Sequence, residues 1–434
     1  MARTHHDNRP RLRLQAATLF AGNLAFAVSQ AGTLVILSKL TSPAAVGQLG
    51  LGVAISAPLL VLAGFQLRSI QAAGLSSNSR FGDFLGFRLW CLAAVMTVTL
   101  GIAAFGSYST DTARVLVGVG LWKCVDSLSE VAYGYAQKQE MVGRISTSLI
   151  TKAVASLAVV PAVIVLTRSV LWVALALAMV SALTFLFYDR RTIRLVAASR
   201  GDVELSPRVR SVQVAEIVRL GLPLGVTSLL GVLAYNIPRY FLQHLRGEQA
   251  VGYFSAIGFP FAAFSVLMGA LGQAATPRMA ASFSKEPREF WRSVGTLCGV
   301  SVLVCVAAIA ICMVWGPSVL TVLFTRDYAT YFSSFMVLLA AAGCWSLASA
   351  LGYAATCSGR IYGQVPASAA TCVSALILSP LLIPDRGVLG AALVYLVGGA
   401  VNTLAFAVLI LRSIQVTRMN SSALESALPS EGSV

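Results

Sequence analysis

The apolar runs of this chain are long, and their length leaves few folds open. A hydrophobic stretch of about twenty residues crosses a bilayer as a helix, and in lipid only helices and closed barrels satisfy their own backbone groups. Barrel strands alternate over about ten residues, whereas the runs here are continuous. Mean hydropathy is +0.79 and 11% of the 434 residues are charged, against about 25% in soluble domains. The sequence predicts an all-α polytopic membrane protein of about twelve spans. They lie near 14–38, 46–66, 85–106, 112–136, 146–167, 169–188, 217–242, 250–274, 293–315, 331–357, 365–383 and 387–411.

The basic residues orient these spans. With the N-terminus inside, about 24 of the 32 Lys and Arg fall on the cytoplasmic side and about 7 outside. The net charge of +15 is thus a topology signal, and no nucleic-acid partner is expected. The run after Arg13 is too long for a signal-peptide core and shows no small-residue cleavage pattern. It reads as a retained span, with both termini cytoplasmic.

The longest inner loop, 189–216, carries Arg190, Arg191, Arg194, Arg200, Arg208 and Arg210. It divides the spans six and six. This gives an N-terminal lobe (1–188), a basic linker (189–216), a C-terminal lobe (217–411) and a cytoplasmic tail (412–434). The linker reads as a tether and topology anchor, or as an amphipathic segment on anionic lipid. Ala45-Val46-Gly47 matches Ala250-Val251-Gly252 at an offset of 205, and Gly134-Tyr135-Ala136 matches Gly352-Tyr353-Ala354 at an offset of 218. An even number of spans per lobe makes the repeats parallel, with a pseudo-two-fold axis along the membrane normal and a central cavity between lobes.

One predicted span breaks the apolar rule. Lys123, Asp126 and Glu130 share one helical face within 112–136. A charge at the bilayer centre costs from about 2.5 to well over 10 kcal/mol, so such residues face a bundle interior or a wet cavity. A wet cavity in so hydrophobic a chain points to a transporter. In one reading Lys123 holds an anionic substrate while Asp126 or Glu130 couples a proton or cation to motion. In the other, the two carboxylates neutralise Lys123 and the cluster fixes packing. The 218 offset maps the three onto Ala341, Cys344 and Ala348, so the cluster belongs to one lobe only.

Other polar residues are weaker candidates. Arg68, Arg88 and Lys152 lie near inner helix ends, where each can snorkel to headgroups. Arg239, in Tyr235-Asn236-Ile237-Pro238-Arg239-Tyr240, fits an outer gate or an interfacial anchor beside a proline kink. Asn23 and Gln30, seven apart in the first span, suit hydrogen bonding to sugar hydroxyls or between helices. Pro58, Pro161, Pro223, Pro260 and Pro380 interrupt spans.

Several function classes have no support. There is no phosphate-cradling glycine loop, zinc pattern or serine elbow, so neither an enzyme nor a resident cofactor is expected. Cys298, Cys305 and Cys312 recur every seven residues as packing groups, and no second ligand stands near His244.

The first hairpin, Leu34-Val-Ile-Leu-Ser-Lys-Leu-Thr-Ser-Pro-Ala-Ala-Val-Gly47-Gln-Leu-Gly50, resembles the polysaccharide biosynthesis family of lipid-linked oligosaccharide flippases. Gly221-Leu-Pro223-Leu-Gly225, Asn236-Ile-Pro-Arg239-Tyr240-Phe241, Val251-Gly252-Tyr253-Phe254-Ser255-Ala256 and Glu140-Met-Val-Gly-Arg144-Ile-Ser146 are similar to other parts of that family. The resemblance covers about Leu14 to Leu411. It implies two six-helix lobes around a V-shaped cavity, in the multidrug/oligosaccharidyl-lipid/polysaccharide exporter superfamily. The implied substrate is an undecaprenyl-pyrophosphate-linked oligosaccharide for O-antigen or exopolysaccharide assembly. Polymerase and glycosyltransferases of that pathway would be partners alongside membrane lipid. Lys123, Arg88 and Arg68 are the candidates for the pyrophosphate. The alternative within the fold is a cation-coupled exporter of drugs or small solutes. The extra helix pair of the lipid II flippases is absent, which argues against lipid II as the substrate.

Overall fold

The computed structural model describes residues 9–73, 80–200, 206–359 and 363–427, and among these it is helical throughout with no strand. The helices are α1 (Arg9–Leu40), α2 (Pro43–Gly64), α3 (Leu67–Ala73), α4 (Phe81–Phe105), α5 (Thr110–Lys138), α6 (Val142–Thr167) and α7 (Val170–Thr184). A π segment, Phe185–Asp189, leads from α7 into α8 (Arg190–Arg200). The second lobe holds α9 (Ser211–Ile257), α10 (Phe259–Lys285), α11 (Pro287–Leu323), α12 (Arg326–Ala329), α13 (Phe332–Cys357) and α14 (Gln364–Ala427).

Among the described residues nine helices are long and apolar enough to cross a membrane, and the bent pair Val212–Leu222 and Gly225–Ile257 makes ten. Two more passes complete the expected twelve. The first is α5, as long as its neighbours but charged. The second comes from α14, which reverses at Gly387 (φ 53°). A Cβ on Gly398 would accordingly lie 3.8 Å from the Thr371 side chain. In the same way α9 reverses at Gly247 (φ 78°), which brings Phe254 back against Arg239. Side chains other than glycine are strained at such positive φ. The returning arm, 248–257, continues through Gly258 into α10 as the eighth pass.

The outer surface of the bundle is apolar. On α11, Leu303, Val306, Met313, Val314 and Trp315 are all more than half exposed, as suits a helix that faces lipid on one side. On its other side, Cys305 packs against Gly343 of α13, so the cysteine stripe is a packing face.

The two lobes pack along α2 and α9, with Phe65 against Gly221 and Gln66 donating to Ser228 at one end, and they meet again at the end that carries the turns at Ser42, Ser109, Gly247 and Gly387. There Gly47 of α2 crosses Gly252 of α9. A Cβ on Gly47 would sit 1.9 Å from the Glu248 carbonyl oxygen and 3.0 Å from the Gly252 nitrogen. A Cβ on Gly252 would sit 1.8 Å from the Pro43 carbonyl oxygen and 3.0 Å from the Gly47 nitrogen. Pro43 and Glu248, like the two glycines, are 205 apart in sequence, so the contact is reciprocal about a pseudo-two-fold axis. The repeat seen in the sequence is therefore also the geometry of the crossing.

Two expectations change. Pro58, Pro161 and Pro380 lie inside continuous helices, and Pro260 is in the first turn of α10. The 52° bend falls at the break between Leu222 and Gly225. Neighbouring residues take up the carbonyls that membrane prolines release. Pro58 cannot donate to Ala54, and the Tyr240 hydroxyl of the other lobe donates to that carbonyl instead, at 2.5 Å. The linker is not an open tether either: in α8, Ile193, Val196 and Ala197 are buried while Arg191 and Arg194 face outward. It seats on α5 and on the cluster that includes Leu67, Ile70 and Phe81.

Candidate translocation site

In the N-terminal lobe the two acids of the α5 cluster, Asp126 and Glu130, pair with other helices rather than with Lys123. Lys152 of α6, with a side chain 3% exposed, donates to Asp126 Oδ1 at 2.7 Å and to Ser129 Oγ at 2.8 Å. Ser129 donates in turn to Asp189 Oδ2 at 2.6 Å, and Ser181 of α7 donates to Asp126 Oδ1 at 3.3 Å. The Tyr133 hydroxyl is 2.8 Å from Ser148 Oγ. The result is a polar core joining three helices and the π segment. Its geometry follows from spacing: Asp126 and Ser129, three apart, share a face of α5, and Ser148 and Lys152, four apart, share a face of α6.

Glu130 pairs outside that core. Its Oε2 lies 3.1 Å from Arg68 Nη1, and Arg68 Nε donates to Gln137 Oε1 at 3.2 Å. The chain reaches α3 through Phe65 (φ 42°) and Gln66 (φ 50°), a left-handed turn. The Phe65 carbonyl fits only because Gly221 of α9 has no Cβ, which would lie 2.2 Å from its oxygen.

Three cations within the bundle have no ion-pair partner among the described residues. Lys123 lies with its ammonium 3.9 Å from the Trp122 ring centroid. Arg88 is 5% exposed and donates from Nη1 to the Ala63 carbonyl at 3.2 Å. Arg239 donates to Asn236 Oδ1 at 2.9 Å and to the Tyr235 hydroxyl at 3.1 Å. Its guanidinium lies 4.5 Å from the Tyr235 ring and 5.7 Å from that of Phe254. The Nε atoms of Arg88 and Arg239 are both buried with no hydrogen-bond partner among the described residues. A buried donor left unmet costs about 1–3 kcal/mol.

The meeting of the lobes carries its own polar contact. The Glu248 carboxylate, at the start of the returning arm of α9, accepts from Gln48 Nε2 at 3.1 Å and from the Thr112 hydroxyl. Gln48 also donates to Thr112 at 3.1 Å, and the capping residue Ser109 shares a hydrogen bond with Thr112. Beside the glycine crossing, one carboxylate of the second lobe is thus held by two side chains of the first. Sequence reasoning missed Glu248, because an acid just past a turn looks like an ordinary loop charge.

The residues singled out in the sequence are scattered. Lys123 and Asp126 lie near each other, Glu130, one turn further along α5, pairs with Arg68, and Arg239 lies in the other lobe. Neither Arg88 nor Lys152 snorkels: both are buried. Asn23 is exposed and donates to Leu19 O of its own helix, and Gln30 is half-buried on α1. No group of three metal-ligating side chains occurs among the described residues.

The fold is that of a known class of membrane exporter. A multidrug resistance MATE family transporter of the MOP superfamily, in an inward-facing conformation, superposes with a TM-score of 0.68 at 13% identity, covering 95% of this chain and 99% of that one. A MOP superfamily transporter from Pyrococcus furiosus, described as having a binding pocket of reverse polarity, gives 0.61 at 15% identity, with 94% and 95% covered. The chain belongs to the family described as Polysaccharide biosynthesis protein, which it matches over residues 15–283. It is 23% identical over 382 residues to the capsular polysaccharide biosynthesis protein CapF of Staphylococcus aureus, covering 86% of this chain and 93% of CapF.

Proposed function

We propose that this exporter is a flippase. It carries an undecaprenyl-pyrophosphate-linked oligosaccharide from the inner to the outer leaflet of the bacterial cytoplasmic membrane, for surface polysaccharide assembly. The observation that carries the reading is the set of unpaired interior cations, Lys123, Arg88 and Arg239. Arg and Lys pair strongly with phosphate oxygens, whereas a site for hydrophobic cations calls for acids. Transport proceeds by alternating access: the head group enters between the lobes while the polyprenyl tail stays in lipid. In the orientation set by the basic loops, the glycine crossing and the Glu248 contact close the outer end. Release requires that contact to part. The membrane lipids and the polymerase and glycosyltransferases of the same assembly route are the expected neighbours.

A second reading, a cation-coupled exporter of drugs or small solutes, is favoured by the carboxylates Asp126 and Glu130 within a span. Leaflet exposure of a labelled polyprenyl-pyrophosphate oligosaccharide in proteoliposomes tests the two. Flipping by wild type that falls in Lys123→Ala and Arg239→Ala, both folded, supports the flippase. Well-folded wild type that flips no glycan and moves a hydrophobic cation down a proton or sodium gradient would replace it with the second reading.

A further inference from the structure

The C-terminal lobe has a second polar site, away from the interior cations. At the Gly247 end, three connections meet around a cleft of about 570 Å³: the turn inside α9, the segment from α12 to α13, and the turn inside α14. Arg246, Gln249, Asp327, Tyr331, Asp385 and Arg386 form its polar wall. Arg246 donates to the Pro384 carbonyl and so ties two of the connections together. The rings of Tyr253 and Tyr331 lie 4.4 Å apart, and Tyr328 meets Tyr253 edge-on at 4.9 Å. These packed rings give the cleft a rigid aromatic side.

The charge pattern selects the occupant. Two guanidiniums and two carboxylates balance, and among the described residues neither aspartate forms an ion pair. A phosphate would meet both carboxylates, and a hydrophobic cation would meet both arginines. A divalent metal would lack a third ligand, since no group of three occurs among the described residues. A ligand that donates and accepts hydrogen bonds along its whole length satisfies both kinds of group at once. Its hydroxyls give to Asp327 and Asp385, and its oxygens take from Arg246, Arg386 and Gln249.

We propose that this cleft binds a saccharide. Glu248, the carboxylate that bridges the lobes, stands between Arg246 and Gln249 in the same turn, so an occupant lies directly beside the contact that closes this end. The binding itself stands on the chemistry of the cleft, and only its assignment to the outer face rests on the orientation set by the basic loops.

The test is equilibrium binding of lipid-free tetra- to hexasaccharides to the full chain in nanodiscs, read by saturation-transfer NMR. The panel includes neutral, amino-sugar and uronic-acid oligosaccharides. Wild type is expected to bind at least one, and Asp327→Asn and Asp385→Asn to weaken that binding by about tenfold or more. Arg278→Gln, at the opposite end of the lobe, is expected to bind as wild type. Three results would overturn the site: no saccharide bound by wild type; binding unaffected in both aspartate variants; or a cleft occupied instead by inorganic phosphate or calcium alone. Saccharide binding in a chain that flips no lipid-linked glycan would leave this site standing and remove the flippase reading.

Discussion

The two lobes share a fold and a repeat, but their buried charge differs: the first holds ion pairs between helices beside the unpaired Lys123 and Arg88, and the second holds the unpaired Arg239. In the N-terminal lobe, Asp126 and Glu130 of α5 each bond to a cation from another helix, Lys152 and Arg68. In the C-terminal lobe, Arg239 is surrounded by Tyr235, Asn236 and Phe254, with no ion-pair partner among the described residues. The helix corresponding to α5, α13, has Ala341, Cys344 and Ala348 in place of the three charges. Packing needs common to the two lobes would have produced similar interiors. The difference teaches that ion pairs hold α3, α5 and α6 together in one lobe, while the unpaired cations, Lys123 and Arg88 there and Arg239 in the other lobe, are held by neutral groups that do not neutralise them.

The largest effect is expected where a paired charge loses its partner. Lys152→Met strands the Asp126 carboxylate in the core and is expected to cost about 3–5 kcal/mol, whereas Lys152→Met combined with Asp126→Leu recovers most of it. Denaturation midpoints of the single and double variants in detergent check this. Equal loss in both would mean that the pair is not what holds α5 to α6.

Next comes the crossing where the lobes match. Gly47→Val drives a side chain into the Glu248 carbonyl and is expected to disfavour the closed end by about 1–3 kcal/mol, the usual cost of overpacking. Distances between spin labels at Thr41 and His244 should lengthen in the variant. An unchanged distance distribution would show that the crossing does not control closure.

Arg239→Gln sharpens the contrast between lobes. It removes a charge with no ion-pair partner, so folding stability should stay within about 1 kcal/mol of wild type while transport falls about tenfold or more. Transport rates and denaturation midpoints on the same preparation separate the two. A large loss of stability with normal transport by the folded fraction would make Arg239 a packing residue. The smallest effect belongs to Arg68→Gln: its pair with Glu130 is partly exposed, and about 0–1 kcal/mol is expected, seen as a shift of only a few degrees in melting.

The sequence carried the spans, the repeat and the family because each is a one-dimensional pattern of hydropathy or spacing. Even so, the 205 offset between Gly47 and Gly252 only became a contact once the chain had folded. The charge cluster was legible as unusual but not in its partners. Helical-wheel geometry places Lys123, Asp126 and Glu130 relative to one another, and it says nothing of Lys152, which is 26 residues from Asp126. Within the cluster on α5 two acids face one base; with α3 and α6 in place both acids are paired and Lys123 is the member left without an ion pair. Arg239 was noticed for Pro238 and Tyr240, but Phe254 and Tyr395 reach its surroundings only through the reversals at Gly247 and Gly387.

The most direct test is the affinity of the purified chain for one oligosaccharide on two anchors, polyprenyl pyrophosphate and an uncharged polyprenyl lipid. The interior cations predict a preference for the pyrophosphate of about tenfold or more, lost in Arg239→Gln and Lys123→Gln and kept in Arg68→Gln. Equal affinity for both anchors in wild type, or a preference that survives both neutralisations, would contradict the assignment of those cations to the substrate.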